Sequence, residues 1–195
     1  MTERRVIQVA AAVLVLAVAG WAVSRGLDRL TGVQPAAEPS DTTAAAPSAT
    51  DVAHITATLF YGSSDGQALA PVRREVPLAE GVVPQGREIL AAQLQPAPEG
   101  FAPVIPEGTV LRAFYVTERG DAFVDVSGEA SSRHAGGSTT ELLTVYAIVH
   151  AVTANLPTIR RVQILIDGRE ADTLAGHVDL RRPLAPNVAL VREAP

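Results

Sequence analysis

Residues 109–168 read TVLRAFYVTERGDAFVDVSGEASSRHAGGSTTELLTVYAIVHAVTANLPTIRRVQILIDG, and this stretch decides the fold. Val110, Arg112, Phe114 and Val116 alternate with Leu111, Ala113, Tyr115 and Thr117. Both sets are rich in β-branched and aromatic residues, which suits a strand covered in part on both faces. Glu118-Arg119-Gly120-Asp121 is a short polar break with a glycine, the mark of a hairpin turn. Ala122, Val124 and Val126 form one face of the return strand, with Phe123 and Asp125 on the other. Ser131 to Gly137 has no periodicity and reads as a loop. Ser138 followed three residues later by Glu141 has capping-box spacing. The hydroxyl is expected to accept from the N–H of Glu141, and the carboxylate to reach back to the N–H of Ser138. Leu142, Val145, Val149 and Val152, widened by Tyr146 and Ile148, give the apolar stripe of a helix that Asn155 and Pro157 stop. Val162, Ile164 and Ile166, with Leu165, make a buried strand that Asp167-Gly168 turns back.

Upstream, Ile55, Ala57, Leu59 and Tyr61 alternate with Thr56, Thr58 and Phe60 as a first strand. Leu69 to Val76 is a second strand, which Pro71 assigns to an edge. Pro84 suits the first turn of a helix over Gln85 to Gln95 with Ile89, Leu90 and Leu94 as its stripe. Pro96 to Gly108 is proline-rich, with Phe101, Val104 and Ile105 as anchors into the core. Ala171 to Leu174 is a candidate for brief pairing with the strand before it. The fold class expected is α+β: a mixed sheet with two helices packed on one face, in β-β-α-β-β-α-β order plus a small terminal hairpin.

The first thirty residues read as an address. Arg4 and Arg5 precede Val6 to Val23, eighteen residues without a charge. As a helix they would span roughly 27 Å, close to a bilayer's hydrocarbon core, with the arginine end in the cytoplasm. Two readings stay open: a retained single-pass signal anchor, with Trp21 at the interface, or a signal peptide cleaved near Ala19 after Ala17-Val18-Ala19. Both place the rest outside the cytoplasmic membrane. Residues 31–51 are Ala, Pro, Ser and Thr with isolated acids, the composition of a disordered linker of roughly 25 Å average reach. Residues 52–184 form the domain and 185–195 a C-terminal strand or tail.

Composition narrows the chemistry. The chain of 195 residues has no cysteine, hence no disulfide, thiolate metal site, thiol nucleophile or lipid-anchor cysteine. All sixteen basic residues are arginine and the net charge is −5. From Val52 onward twelve arginines face sixteen acids, so the domain itself is acidic and nucleic-acid binding is not expected.

Several blocks resemble the GerMN domain, a family named for a sporulation and germination protein. They are Leu59-Phe60-Tyr61 with Asp65-Gly66, Leu69 and Arg73-Arg74, then Ile105-Pro106-Glu107-Gly108-Thr109 before a strand. Val124-Asp125-Val126-Ser127, Tyr146-Ala147-Ile148-Val149 and Val162 to Gly168 follow, and Gly176-His177-Val178-Asp179-Leu180 with Pro183-Leu184 ends the series. The likeness runs from about Ile55 to Leu184; His150-Ala151-Val152 and Gly128-Glu129-Ala130 depart from the pattern. The resemblance implies a fold related to ring-building motifs, an extracytoplasmic setting and no attached catalytic residues.

No reactive constellation stands out. His54, His134, His150 and His177 are scattered, although His177 and Asp179 could share a strand face. Ser138 is a possible nucleophile but a better helix cap. Asp125 with Glu129 or Asp121 is a possible acid–base pair, more simply read as solvated acids. Arg119-Gly120-Asp121 spells an adhesion tripeptide at a turn, and Arg160-Arg161 with Arg181-Arg182 is a candidate anionic-polymer patch. The expected function is a membrane-tethered extracytoplasmic interaction or scaffold module of the bacterial cell envelope. It would have no catalytic, cofactor or metal residues, and no ligand-binding residue is assigned. Its expected partner is an envelope protein or a second copy as a homo-oligomer, met through a sheet or the Leu69–Val76 edge. The alternatives are an envelope hydrolase and a glycan or small-ligand binder.

Overall fold

The computed structural model describes residues 53–192. The expected anchor, linker and cleavage site therefore lie outside the described residues. Among the described residues no helix is long and apolar enough to cross a membrane.

The element order is β1 (His54–Gly62), β2 (Leu69–Pro77), α1 (Val82–Gln93), β3 (Leu111–Val116), β4 (Asp121–Val126), α2 (Glu129–Ser132), α3 (Ser138–Asn155), β5 (Arg161–Ile166) and β6 (Arg169–Glu170). A single 3-10 turn, Val188–Leu190, follows. The α+β class and the strand–helix order are those the periodicity predicts. The second strand at an edge is also as expected, while the brief pairing after Gly168 falls on Arg169–Glu170.

The strands form two sheets, not one. β1 and β2 are an antiparallel pair; β3-β4-β5-β6 make a mixed sheet in which β4 and β5 are parallel. The parallel pair needs a crossover, and α2 with α3 supplies it. β1 cannot join the larger sheet because its second edge is already occupied. The N–H and C=O of Thr58 bond to the Asn155 amide at 2.8 and 2.7 Å. Those of Phe60 bond to the Gln93 amide at 2.8 and 2.7 Å, and those of Gly62 to Ala102 at 2.9 Å each. Two side-chain amides and one loop residue thus replace a third strand, from helices α3 and α1, and satisfy backbone groups that burial would otherwise orphan.

α1 lies on β3 so closely that Gly86 faces Phe114 with no room for a Cβ. Phe114, Ala122, Val124, Val126, Val162 and Ile164 form the inner face of the larger sheet, with Ile89, Leu90, Val145, Ile148, Val149 and Val152 against it. α3 is buried nearly all round from Leu143 to Val152, so the single apolar stripe underestimates its contacts. It packs on β1, α1 and β5, and the loops at 174–178 and 187 cover its remaining sides.

Candidate functional site

Much of what the sequence pattern marks proves to be internal bracing. Glu141 is fully buried and caps nothing. The N-cap of α3 is Gly137, without a side-chain cap bond, and Ser138 is its exposed first residue. The Glu141 carboxylate instead accepts backbone N–H bonds from Leu174, Ala175, His177 and Val178 at 2.8–3.2 Å, and faces His177 Nδ1 at 3.0 Å. The capping-box expectation fails because five donors from one loop outcompete a single N–H of the first turn. Burial alone would raise the carboxyl's pKa, but these N–H groups outweigh it and hold it below the ordinary 4.5.

The Val124–Ser127 and Asp167-Gly168 blocks brace each other. Asp125 accepts the N–H of Gly168 at 2.8 Å and Asp167 that of Gly128 at 3.2 Å, while Arg112 sits between the carboxylates at 3.3 and 3.6 Å. Ser127 Oγ accepts the N–H of Val110.

The remaining candidates stay apart. Asp121 forms a two-point pair with Arg161 at 2.8 and 3.0 Å, Asp125 serves Arg112 and Gly168, and the Ser127 hydroxyl holds the Glu129 carboxyl below its ordinary value. No two of these acids share a site. In the Arg119-Gly120-Asp121 tripeptide, Gly120 is buried and the Asp121 carboxylate is taken by Arg161. Arg181 is paired with Asp179, which also removes Asp179 from His177. His54 is exposed at the start of β1. His150 is buried, with Nε2 on the Asn187 carbonyl at 3.0 Å. Among the described residues no three His, Asp or Glu side chains cluster as metal ligands.

One concave site does emerge, and no sequence reading assigned it. A cleft of about 560 Å3 opens between the proline-rich segment after α1 and the loop before α3. Tyr61, Phe101, Ile105, Pro96, Pro103 and Pro106 give it an apolar lining, and Arg133, His134 and Thr140 form the facing wall. The two aromatic rings meet at 6.4 Å and 50°. Val104 is buried in the core and the half-buried Phe101 and Ile105 pack against it, as expected of anchors, while both also line the cleft. The signal available was length: thirteen residues without periodicity, Pro96 to Gly108, inside a compact domain.

His134 is the cleft's imidazole, and its nitrogens are both engaged. Nδ1 accepts the N–H of Gly136 at 2.9 Å, which puts the proton of the neutral ring on Nε2, 3.1 Å from Thr144 Oγ1. The Thr144 hydroxyl is within reach of the Val104 and Thr140 carbonyls. This ring joins the loop, α3 and the proline-rich segment, and has no lone pair left to act as a base. Arg133 bonds the Glu107 carbonyl at 3.3 Å across the same opening. The arrangement can hold an apolar body with polar groups at one wall.

Comparison with known proteins agrees with the fold. The family described as "Germane: Sporulation and spore germination" matches residues 58–172, more than half of the chain. No curated protein matches. Among solved structures, the tandem GerMN domains of the sporulation protein GerM from Bacillus subtilis are similar at 17% identity and a TM-score of 0.54, covering 68% of this chain and 46% of that one. The first GerMN domain of the same protein is similar at 20% identity and a TM-score of 0.50, covering 68% and 96%. A chain from Clostridium perfringens described provisionally as a lipoprotein shares 27% identity over 68% and 87%, with a TM-score of 0.49. On the extent of the family match, this chain belongs to the Germane family of sporulation and spore germination.

Proposed function

We propose that this domain is a non-catalytic recognition module of the cell envelope. Residues 6–23 hold it outside the cytoplasmic membrane, and it binds an extended apolar segment of a partner protein in the Tyr61–Phe101 cleft. One observation carries the reading. The cleft presents an apolar lining opposite a polar wall, and the imidazole of that wall is spent on internal hydrogen bonds. A hydrolytic site needs a base with a free lone pair beside a nucleophile, and His134 offers none. Family membership and the apolar N-terminal stretch support the envelope setting.

The sheet edges are poorer surfaces. On the outer edge of β2, Pro71 and Pro77 lack donors and the Leu69 carbonyl is taken by Arg192. A small ligand in place of a peptide is the second reading, favoured by a cleft volume within the usual range for such sites.

The test is site-specific photocrosslinking in cells, with the crosslinker at Gln95 or Ala135 on the cleft rim and at Val188 as a control. A discrete crosslinked envelope protein from the rim positions alone, lost on Phe101→Asp, supports the reading. Absence of rim crosslinks, or equal yield from Val188, overturns the peptide-binding role. Protease accessibility of the domain in spheroplasts tests its placement outside the membrane.

A further inference from the structure

Arg133 is the C-cap of α2 and stands exposed on the polar wall of the cleft. Its Nη1 donates to the Glu107 carbonyl at 3.3 Å. The guanidinium rests where Gly108 leaves room for it: a Cβ built at Gly108 would lie 2.9 Å from Nη1. Gly108 also has φ +85°, a backbone conformation that favours glycine. One carbonyl is therefore the partner of a group with five donors, and that partner carries no charge. Among the described residues the arginine ion pairs use Arg112, Arg161, Arg181 and Arg192, not Arg133. Glu129, one turn earlier, takes its main bond from the Ser127 hydroxyl.

Acceptors near the guanidinium are already committed. The Val104 carbonyl takes the Thr144 hydroxyl, the Pro106 carbonyl takes the Thr109 hydroxyl at 2.7 Å, and His134 Nδ1 accepts from Gly136. Glu107 is exposed and gives the guanidinium its carbonyl, not its carboxylate. What the wall still offers is donors: the remaining N–H groups of Arg133 and the exposed Thr140 hydroxyl, which has no bond among the described residues. Opposite them lie the rings of Tyr61 and Phe101.

We infer that the cleft reads the C-terminal end of a partner polypeptide, with the terminal carboxylate on Arg133 and the last apolar side chain against Tyr61 and Phe101. A wall of donors facing an apolar wall calls for an anion and an apolar group at close spacing. The planar guanidinium fits a carboxylate, and bonds between ionised groups are about twice as strong as neutral ones. A terminal residue carries side chain and carboxylate on one Cα. In an extended chain an internal Asp or Glu points away from its neighbour's side chain, to the opposite face. The inference rests on the recognition role proposed for the cleft and narrows its partner from an apolar segment to an apolar C-terminus.

Fluorescence anisotropy of fluorescein-labelled Gly-Gly-Ala-X peptides tests it, with X as Leu, Ile, Val or Phe and each peptide made as free acid and as C-terminal amide. The full chain in lipid nanodiscs is titrated into each. The acid of at least one X should bind about fivefold more tightly than its amide, the scale of a well-placed ion pair open to solvent. Arg133→Gln should bring acid and amide to a common affinity, and two glycines added after X should remove the advantage. Equal binding of acid and amide by the native chain, a gap that survives in Arg133→Gln, or full affinity for the extended peptide overturns the inference while leaving the cleft a binding site. Binding by no peptide, or binding unaffected by Phe101→Asp, removes the recognition reading of the cleft and the inference with it. Should Phe101→Asp not fold, Ala135→Trp on the exposed rim takes its place as the blocking variant.

Discussion

His177 reaches Glu141 twice: its backbone N–H lies 2.8 Å from Oε2, and its ring Nδ1 lies 3.0 Å from the same oxygen. The other oxygen accepts from Leu174, Ala175 and Val178. A buried carboxylate on α3 is thereby satisfied by one loop, without a guanidinium, and the loop is pinned across the helix. Leu174, Ala175, His177 and Val178 are thus the docking site for an internal anion.

Glu141→Gln replaces one acceptor oxygen with an NH2 group facing N–H donors. A loss of about 3 kcal/mol is expected in equilibrium urea unfolding, the scale of a buried charge-assisted cluster. Acid should act in the same direction. Because the folded carboxyl lies below its ordinary 4.5, its contribution is complete above 4.5 and disappears as pH falls from there through the depressed value. In Glu141→Gln that part of the acid dependence should be absent; an unchanged pH profile would count against the assignment.

Gln93 and Asn155 act as a surrogate strand for β1. Gln93→Ala strips both buried bonds from Phe60 and should cost about 2–3 kcal/mol. Asn155→Ala acts on part-buried bonds to Thr58 and should cost about 1–2 kcal/mol. Denaturant midpoints of the two variants test the order; a larger loss for Asn155→Ala contradicts it.

At Gly86 an added Cβ would lie 2.2 Å from the Phe114 ring. Gly86→Ala should therefore destabilise by about 1–3 kcal/mol through overpacking, although alanine is favoured in a helix by about 1 kcal/mol. Phe114→Leu in the same chain should recover part of the loss, measured as a rise in Tm of the double variant over Gly86→Ala.

Asp167 has φ +52° in the turn between β5 and β6 and accepts the N–H of Gly128. Asn tolerates this conformation and retains the acceptor, so Asp167→Asn should stay within about 0.5 kcal/mol of native. Asp167→Val loses the bond and places a β-branched residue at positive φ, with an expected cost of about 2 kcal/mol or more. Thermal unfolding distinguishes them, and equal Tm values would remove the backbone argument.

The strands of residues 109–168 and the long helix were legible because each repeats an apolar pattern at its own period over several residues. The helix ends at Asn155, as Asn155 and Pro157 predict, but Ser138 is its first residue and Gly137 its N-cap, where the spacing predicts Ser138 as the cap. The role of Glu141 was not legible. A three-residue spacing from Ser138 looks the same whether the carboxylate turns back to the first turn or meets a loop 33 residues further on. The cleft was illegible for a related reason: its two walls are aperiodic segments on either side of β3 and β4.

The amino-acid sequence by itself determined the α+β class, the element order, the acidic cysteine-free domain and the edge position of β2, because these follow from local periodicity, turn chemistry and composition. Tertiary structure alone decided that β1 stands apart from the larger sheet, that Glu141 is buried in a loop's N–H groups, and that Phe101 and His134 face one cleft. Each of these depends on which distant segment reaches a polar group first, a competition settled by packing.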